Sequence, residues 1–339
     1  MGWCLDIRRN LASCSLRVTF FPHPLNWRSP MALANASALP AEARRFAVII
    51  GAMKCGTTSM FEMLKQHPEV CAVREKDEAF FESDAAPHRV GEYVGRWKAV
   101  RPGQLLLDAN VEYSKAPFIS GVPDRIARSE IGAWRFIYLI REPISRIESQ
   151  IRHGLYAGWG RSADEELTPD LIEFSRYAFQ LDAWMRVFPR ESVRVVVLEK
   201  FEAEPRSVLR GLCDFLAIDV NFDFHAPGTR YNQGSFFEAP SLIRGTAAHQ
   251  GIRRVVKRII PRPMITSARR LVSRLMTSSN ASGTSDLGRW KLTDSEAAEL
   301  RATLHEDVGR LQKDYGVDLD QWWPGWNLND ARPDPHDTW

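Results

Sequence analysis

Two short clusters in this chain are suited to gripping anions. The first is Gly51-Ala-Met-Lys54-Cys55-Gly56-Thr57-Thr58, which follows the apolar run Phe46-Ala-Val-Ile-Ile50 and precedes a helical pattern over 59–66. At a strand-to-helix turn, backbone N–H groups and the helix dipole favour negative charge. The glycine spacing imitates the phosphate loop of nucleotide triphosphatases. Those loops place lysine directly after the second glycine and a hydroxyl next, for magnesium. Here Thr57 stands in the lysine's place, and the cation, Lys54, lies inside the loop. The spacing argues against a kinase loop and for an anion met from another side. Taken alone, it also fits a glycine turn with a solvated lysine.

The second cluster is Arg141-Glu-Pro-Ile-Ser-Arg146-Ile-Glu-Ser149, after the apolar run Trp134–Ile140. Pro143 suits the first helical position, where its missing N–H costs nothing. Arg141, at the strand end, can aim its fork where Ser149 points. A guanidinium and a hydroxyl together make a receptor for a phosphate monoester. Arg146 reads as a helper of more structural character. The bland alternative for Arg141 is a helix-capping ion pair with Glu142 or Glu148.

The elements that must position these clusters follow from hydrophobic patterning. Runs at 46–50, 105–107, 134–140 and 193–198 have strand length and are continuously apolar, as strands buried on both faces are. Helical patterns at about 115–129, 143–154 and 168–187 separate them, and 203–217 and 293–315 read as amphipathic helices. Strands alternating with helices predict an α/β, three-layer fold with a central parallel sheet flanked by helices, like that of the P-loop NTPases. Residues 1–44 read as a poorly packed leader, 45–325 as one domain and 326–339 as a loosely packing tail. The arginine-rich stretch 244–274 fits either a solvated helical face or a lid, and 277–285 a mobile loop.

Bulk composition narrows the class. The 339 residues are 44% hydrophobic and 26% charged, ordinary for a globular protein. A formal charge of +3 is too mild for a nucleic-acid binder. It suits a local basic pocket for an anionic ligand. The five cysteines form no CxxC pair, which argues against zinc and a disulfide framework. No run approaches the length of a membrane span. The segment after Arg8 and Arg9 is a poor export signal, so a cytoplasmic address is expected.

The two clusters, in this order and about 90 residues apart, resemble the signature motifs of the sulfotransferases that use 3′-phosphoadenosine 5′-phosphosulfate (PAPS). Lys54-x-Gly56-Thr57-Thr58-Ser59 resembles that family's 5′-phosphosulfate loop, and R-x-P-x-x-R-x-x-S its 3′-phosphate motif. His67-Pro68 with Lys76-Asp-Glu-Ala-Phe-Phe81, and Val195–Phe201 with Pro205 and Phe215–Ile218, resemble further family blocks. Leu292–Trp322 looks like the family's closing helix, so the likeness runs from about 46 to 323. Its flavour is that of the bacterial and heparan-sulfate-type branch.

The resemblance implies sulfuryl transfer from PAPS to a hydroxyl or amine of a small-molecule, lipid or glycan acceptor, with no metal. Lys54 would stabilise charge on the leaving phosphate, with Cys55, Gly56, Thr57, Thr58 and Ser59 completing the cradle. Arg141 and Ser149 would hold the 3′-phosphate, and Arg289 would be a further contact. Anchored on Phe80-Phe81, the family's catalytic glutamate falls on Asp77; anchored on His67-Pro68 it slides to Lys76, and Glu78 is the alternative base. Two departures stand out: aspartate replaces glutamate at 77, and Ala109 replaces a lysine near the acceptor. The second argues against a sulfated polysaccharide. Tyr113 is expected to line the acceptor pocket. His67 reads as a helix terminator, His153 as a surface residue, and Trp159 and Trp184 as core or rim.

Overall fold

The computed structural model describes residues 44–157, 169–229 and 290–328. The stretches 244–274 and 277–285, with Trp159 and Arg289, lie outside the described residues. The described residues form a five-stranded sheet of β1 (Arg45–Gly51), β2 (Val70–Ala72), β3 (Leu105–Ala109), β4 (Ala133–Ile140) and β5 (Val193–Val197), in the order β2-β3-β1-β4-β5. Every pairing is parallel, with Phe46 set against Leu106 on one side and Trp134 on the other. The expected α/β sheet is therefore present. Its central strands are mostly apolar because helices cover both faces, with Asp108 of β3 a buried exception.

Those helices are α1 (Thr57–Leu64), α2 (Val90–Val94), α3 (Val122–Ser129), α4 (Pro143–Ala157), α5 (Pro169–Glu173), α6 (Tyr177–Met185), α7 (Leu198–Ala203), α8 (Pro205–Leu216) and α9 (Asp294–Lys313). The last starts with a capping box, Thr293 Oγ1 accepting from Glu296 N–H and Glu296 accepting from Thr293 N–H. Among the described residues no helix is long and apolar enough to cross a membrane.

Several expectations shift. Of the expected helix over 115–129 only Val122–Ser129 forms, as α3, since Pro117 and Gly121 interrupt the first half; a 3₁₀ turn, Val111–Ser114, precedes it. The expected helix over 168–187 breaks after Glu173 because Ser175 turns its hydroxyl to Leu171 O and accepts from Arg146. Leu198 opens α7 rather than ending β5, and Pro205 starts α8 afresh. Strand β2 was not foreseen. Beyond the expected domain edge at 325, Trp326 and Leu328 are only 2% and 4% exposed.

Chain order around β1 sets the site. From β1 the chain passes to β2 and β3 on one side, then crosses to β4 on the other. The crevice beyond the carboxyl ends of such strands is where open α/β sheets bind ligands. The 51–56 loop follows β1, Arg141 follows β4, and Asn110 follows β3.

Candidate active site

The loop after β1 keeps its shape through two glycines. Gly51 has φ +139°, and a Cβ there would lie 2.0 Å from Ser114 Oγ. Gly56 has φ +81°, and its Cβ would lie 2.7 Å from Leu198 Cδ1. Neither position admits a side chain without displacement. The first intrahelical donor of α1 is Met60 N–H, to Gly56 O at 3.0 Å, and no side chain caps the helix start. The N–H groups of Thr57, Thr58 and Ser59 thus form the electropositive first turn.

Cys55 differs from its expected part in the cradle. Its N–H donates to Ala52 O at 3.2 Å, and its buried thiol lies 3.8 Å from the Tyr177 hydroxyl. Burial pushes that thiol up to about 11, so it stays protonated and inert.

Four cations converge on this loop. Burial, then Arg141, Arg152 and Arg146, push the half-buried Lys54 ammonium down to about 8. Among the described residues no carboxylate pairs with Lys54 or Arg141. The capping alternative for Arg141 fails because both glutamates are engaged elsewhere. Glu142 accepts from Ile144 N–H, Ser145 N–H at 2.7 Å and Trp326 Nε1 at 3.1 Å. Glu148 accepts from Leu292 N–H at 3.1 Å and pairs with Arg152. The Arg141 backbone is clasped by Tyr177, whose hydroxyl donates to Arg141 O at 2.7 Å.

Ser149 precedes Arg152 and His153 by one turn on α4, on the face that both use to approach Lys54. His153 is not the expected surface residue. It is half-buried, and burial followed by Lys54 pushes it down to about 4, so it is neutral at physiological pH. His67 is the expected helix terminator: Nδ1 accepts from Glu69 N–H and Nε2 meets Asp219 O at 3.0 Å. Trp184 is buried in the core.

The candidate bases sit at the β3 end. Asp77 has φ 62°, donates its N–H to Ala109 O at 2.7 Å and accepts from Val111 N–H at 3.3 Å. Its carboxylate also pairs with Lys76. Glu78 pairs with Arg96 Nε at 2.7 Å. Arg96 in turn grips the Asp108 carboxylate at 2.7 and 3.3 Å and donates to Glu75 O at 2.9 Å. Asp108 is 1% exposed and also accepts from Tyr93 OH and Ala109 N–H. Burial raises its pKa, and Arg96 opposes the rise.

Thus Arg96, which sequence reasoning missed, anchors the segment carrying both candidate bases. Tyr113 was expected to line the pocket, but it is 2% exposed and its hydroxyl accepts from Phe81 N–H. Glu82 and Glu112 lie nearby, and the Glu82 pKa is raised by burial and then by Glu112. Asn110 links this group, donating to Glu78 O at 2.9 Å and Glu82 Oε1 at 3.3 Å.

A glycine-framed loop carrying Lys54 and an arginine with no carboxylate partner among the described residues thus end adjacent parallel strands. The family model described as "Sulfotransferase domain" matches residues 45–233, more than half of the chain. The chain belongs to the sulfotransferase family. Similar curated proteins include mouse heparan sulfate glucosamine 3-O-sulfotransferase 3B1, 27% identical over 186 residues, covering 51% of this chain and 46% of that protein. Human heparan sulfate glucosamine 3-O-sulfotransferase 5 is 27% identical over 186 residues, covering 50% and 52%. This sulfotransferase spans about half the length of the curated relatives it matches. A solved sulfotransferase from Alicyclobacillus acidocaldarius is 22% identical, covers 83% of this chain and 99% of its own, and has a TM-score of 0.55, which supports the fold alone.

Proposed function

We propose that this sulfotransferase moves the sulfuryl group of PAPS to a hydroxyl or amine of its acceptor, without a metal ion. The observation that carries the reading is the group of cations at the ends of β1 and β4. Lys54 and Arg141 lack any carboxylate partner among the described residues, while Arg152 beside them pairs with Glu148; burial first, and then Arg141 and Arg152, already weaken Lys54 as a cation. A shared anion would relieve the cost of such a cluster. The uncapped first turn of α1 adds backbone donors to it.

When bound, PAPS supplies an activated sulfuryl group whose leaving group is a phosphate. Lys54 would donate to the leaving oxygen and neutralise the charge that builds there. Gly56, Thr57, Thr58 and Ser59 would hold the 5′ end, and Arg141 with Ser149 the 3′-phosphate. Asp77 would accept the acceptor's proton. Its backbone is fixed to Ala109 O and its carboxylate is oriented by Val111 N–H. Both carboxylates are paired, Asp77 with Lys76 and Glu78 with Arg96, so the preference for Asp77 rests on the bonds to Ala109 O and Val111 N–H that fix it, and Glu78 is the alternative base.

For the acceptor we favour a glycan, since the similar mouse and human proteins are named for heparan sulfate glucosamine. Ala109 in place of a lysine argues that this glycan is not highly sulfated. Calorimetry tests the nucleotide reading. Adenosine 3′,5′-bisphosphate should bind in the presence of a chelator, and Lys54→Ala should weaken it. Tighter binding of ATP with magnesium would refute the reading.

A further inference from the structure

Arg146 is fully buried, at 0% exposure. Its guanidinium donates to Met53 O at 3.2 Å, Gln150 Oε1 at 2.6 Å, Ser175 Oγ at 2.9 Å and Leu171 O at 2.8 Å. All four acceptors are neutral. Among the described residues no carboxylate pairs with this cation. A fully buried charge lacking a counter-charge is strongly unfavourable, and buried arginines are ordinarily paired. The charged side chain that it contacts electrically in the loop, Lys54, has the same sign.

The hydrogen bonds explain where the side chain is held but not why it is charged. A neutral donor would serve carbonyl, amide and hydroxyl acceptors without the cost of burying a cation. The contact with Met53 is informative because Met53 is the residue before Lys54. Arg146 therefore braces the peptide that presents the loop lysine in its left-handed conformation, φ 71°.

We propose that Arg146 is a positioning residue whose missing counter-charge is the bound nucleotide. It braces the loop from behind and is balanced electrically only when the anion is seated in front. The inference rests on the nucleotide reading above. It adds that part of the affinity for the nucleotide is created by a destabilising charge inside the ligand-free protein.

Gln150→Glu provides the test. It is nearly isosteric and places a carboxylate at the 2.6 Å contact, giving Arg146 a counter-ion of its own. The full chain is titrated with adenosine 3′,5′-bisphosphate by calorimetry and melted without ligand. Gln150→Glu should melt at or above the wild-type temperature, yet bind the nucleotide about tenfold more weakly. Arg146→Gln should also lose at least about tenfold in affinity, and Arg146→Lys, which keeps charge without the fork, should recover part of it. A purely structural arginine would instead lower the melting temperature when replaced and leave the affinity of the folded protein unchanged. Wild-type affinity in folded Gln150→Glu would overturn this inference alone. Failure of the wild type to bind the nucleotide would overturn the nucleotide reading and this inference together.

Discussion

Raising the pH should switch off nucleotide binding through one proton on Lys54. Its ammonium titrates at about 8 in the ligand-free protein, against an ordinary 10.5, because it is half-buried beside Arg141, Arg152 and Arg146. Keeping it charged there costs about 3 kcal/mol relative to water. A bound phosphate would restore the ammonium to its ordinary range, so the complex stays protonated where the free protein does not. The phosphates of adenosine 3′,5′-bisphosphate are essentially ionised by pH 7, since their second ionisation lies near 6. Affinity should therefore be nearly level around pH 7, bend near pH 8 and fall about tenfold between pH 7 and pH 9, with a separate fall below about pH 6 as the phosphates take up protons. Calorimetry in buffers of different ionisation enthalpy reads the same proton directly. About half a proton should be taken up per nucleotide at pH 8, and about 0.9 at pH 9. Lys54→Met should bind weakly with no bend. A wild-type affinity that is flat from pH 7 to pH 9 would refute the electrostatic reading of the loop.

Asp77→Asn should lower kcat by about 10²- to 10⁴-fold while leaving the dissociation constant of adenosine 3′,5′-bisphosphate unchanged; Glu78→Gln should cost less than tenfold, and the reverse ranking would exchange their roles. Arg96→Met strands the buried Asp108 carboxylate and should destabilise by about 3–5 kcal/mol in urea unfolding, with Arg96→Met/Asp108→Leu recovering most of the loss. Asp307 titrates at about 6 in the folded protein, above its ordinary 3.8, because burial outweighs the bonds from Ala178 and Phe179 N–H. The folded state thus holds this proton more tightly than the unfolded chain. The stability it contributes is complete below about pH 4 and is lost as pH rises through 6, about 2–3 kcal/mol in all. Unfolding of wild type and Asp307→Asn at pH 4.5 and pH 7 checks this: the wild type should gain on the variant at the acid end.

What the sequence made legible was local. The runs at 46–50, 105–107, 134–140 and 193–197 are strands because unbroken apolar stretches of that length must be buried on both faces. Lys54 and Arg141 could be singled out because a glycine turn and a proline-started helix fix where charged residues fall. Val70–Ala72 was missed because a three-residue edge strand leaves too little pattern to detect. The break at Ser175 was missed because helical periodicity runs on across it while tertiary bonds decide the end, and the short helix Leu198–Ala203 was missed because its first residue continues the apolar run of β5. The supports of the site were invisible for another reason. Arg96 with Asp108, Tyr177 with Arg141, and Trp326 with Glu142 are pairs far apart in sequence, and no spacing rule connects their members.

The last of these pairs has a consequence for how the protein comes into being. Glu142 finishes the start of α4, and Trp326 holds Glu142; Trp323 in turn holds Glu199, which accepts from Glu142 N–H. Both tryptophans come roughly 180 residues after the arginine whose setting they complete. A ribosome makes the nascent chain from the amino end. The segment after β4 therefore lacks its final brackets until synthesis has passed residue 326, and a fragment cut at residue 233 would retain both anion motifs while losing the indoles that hold the second in register.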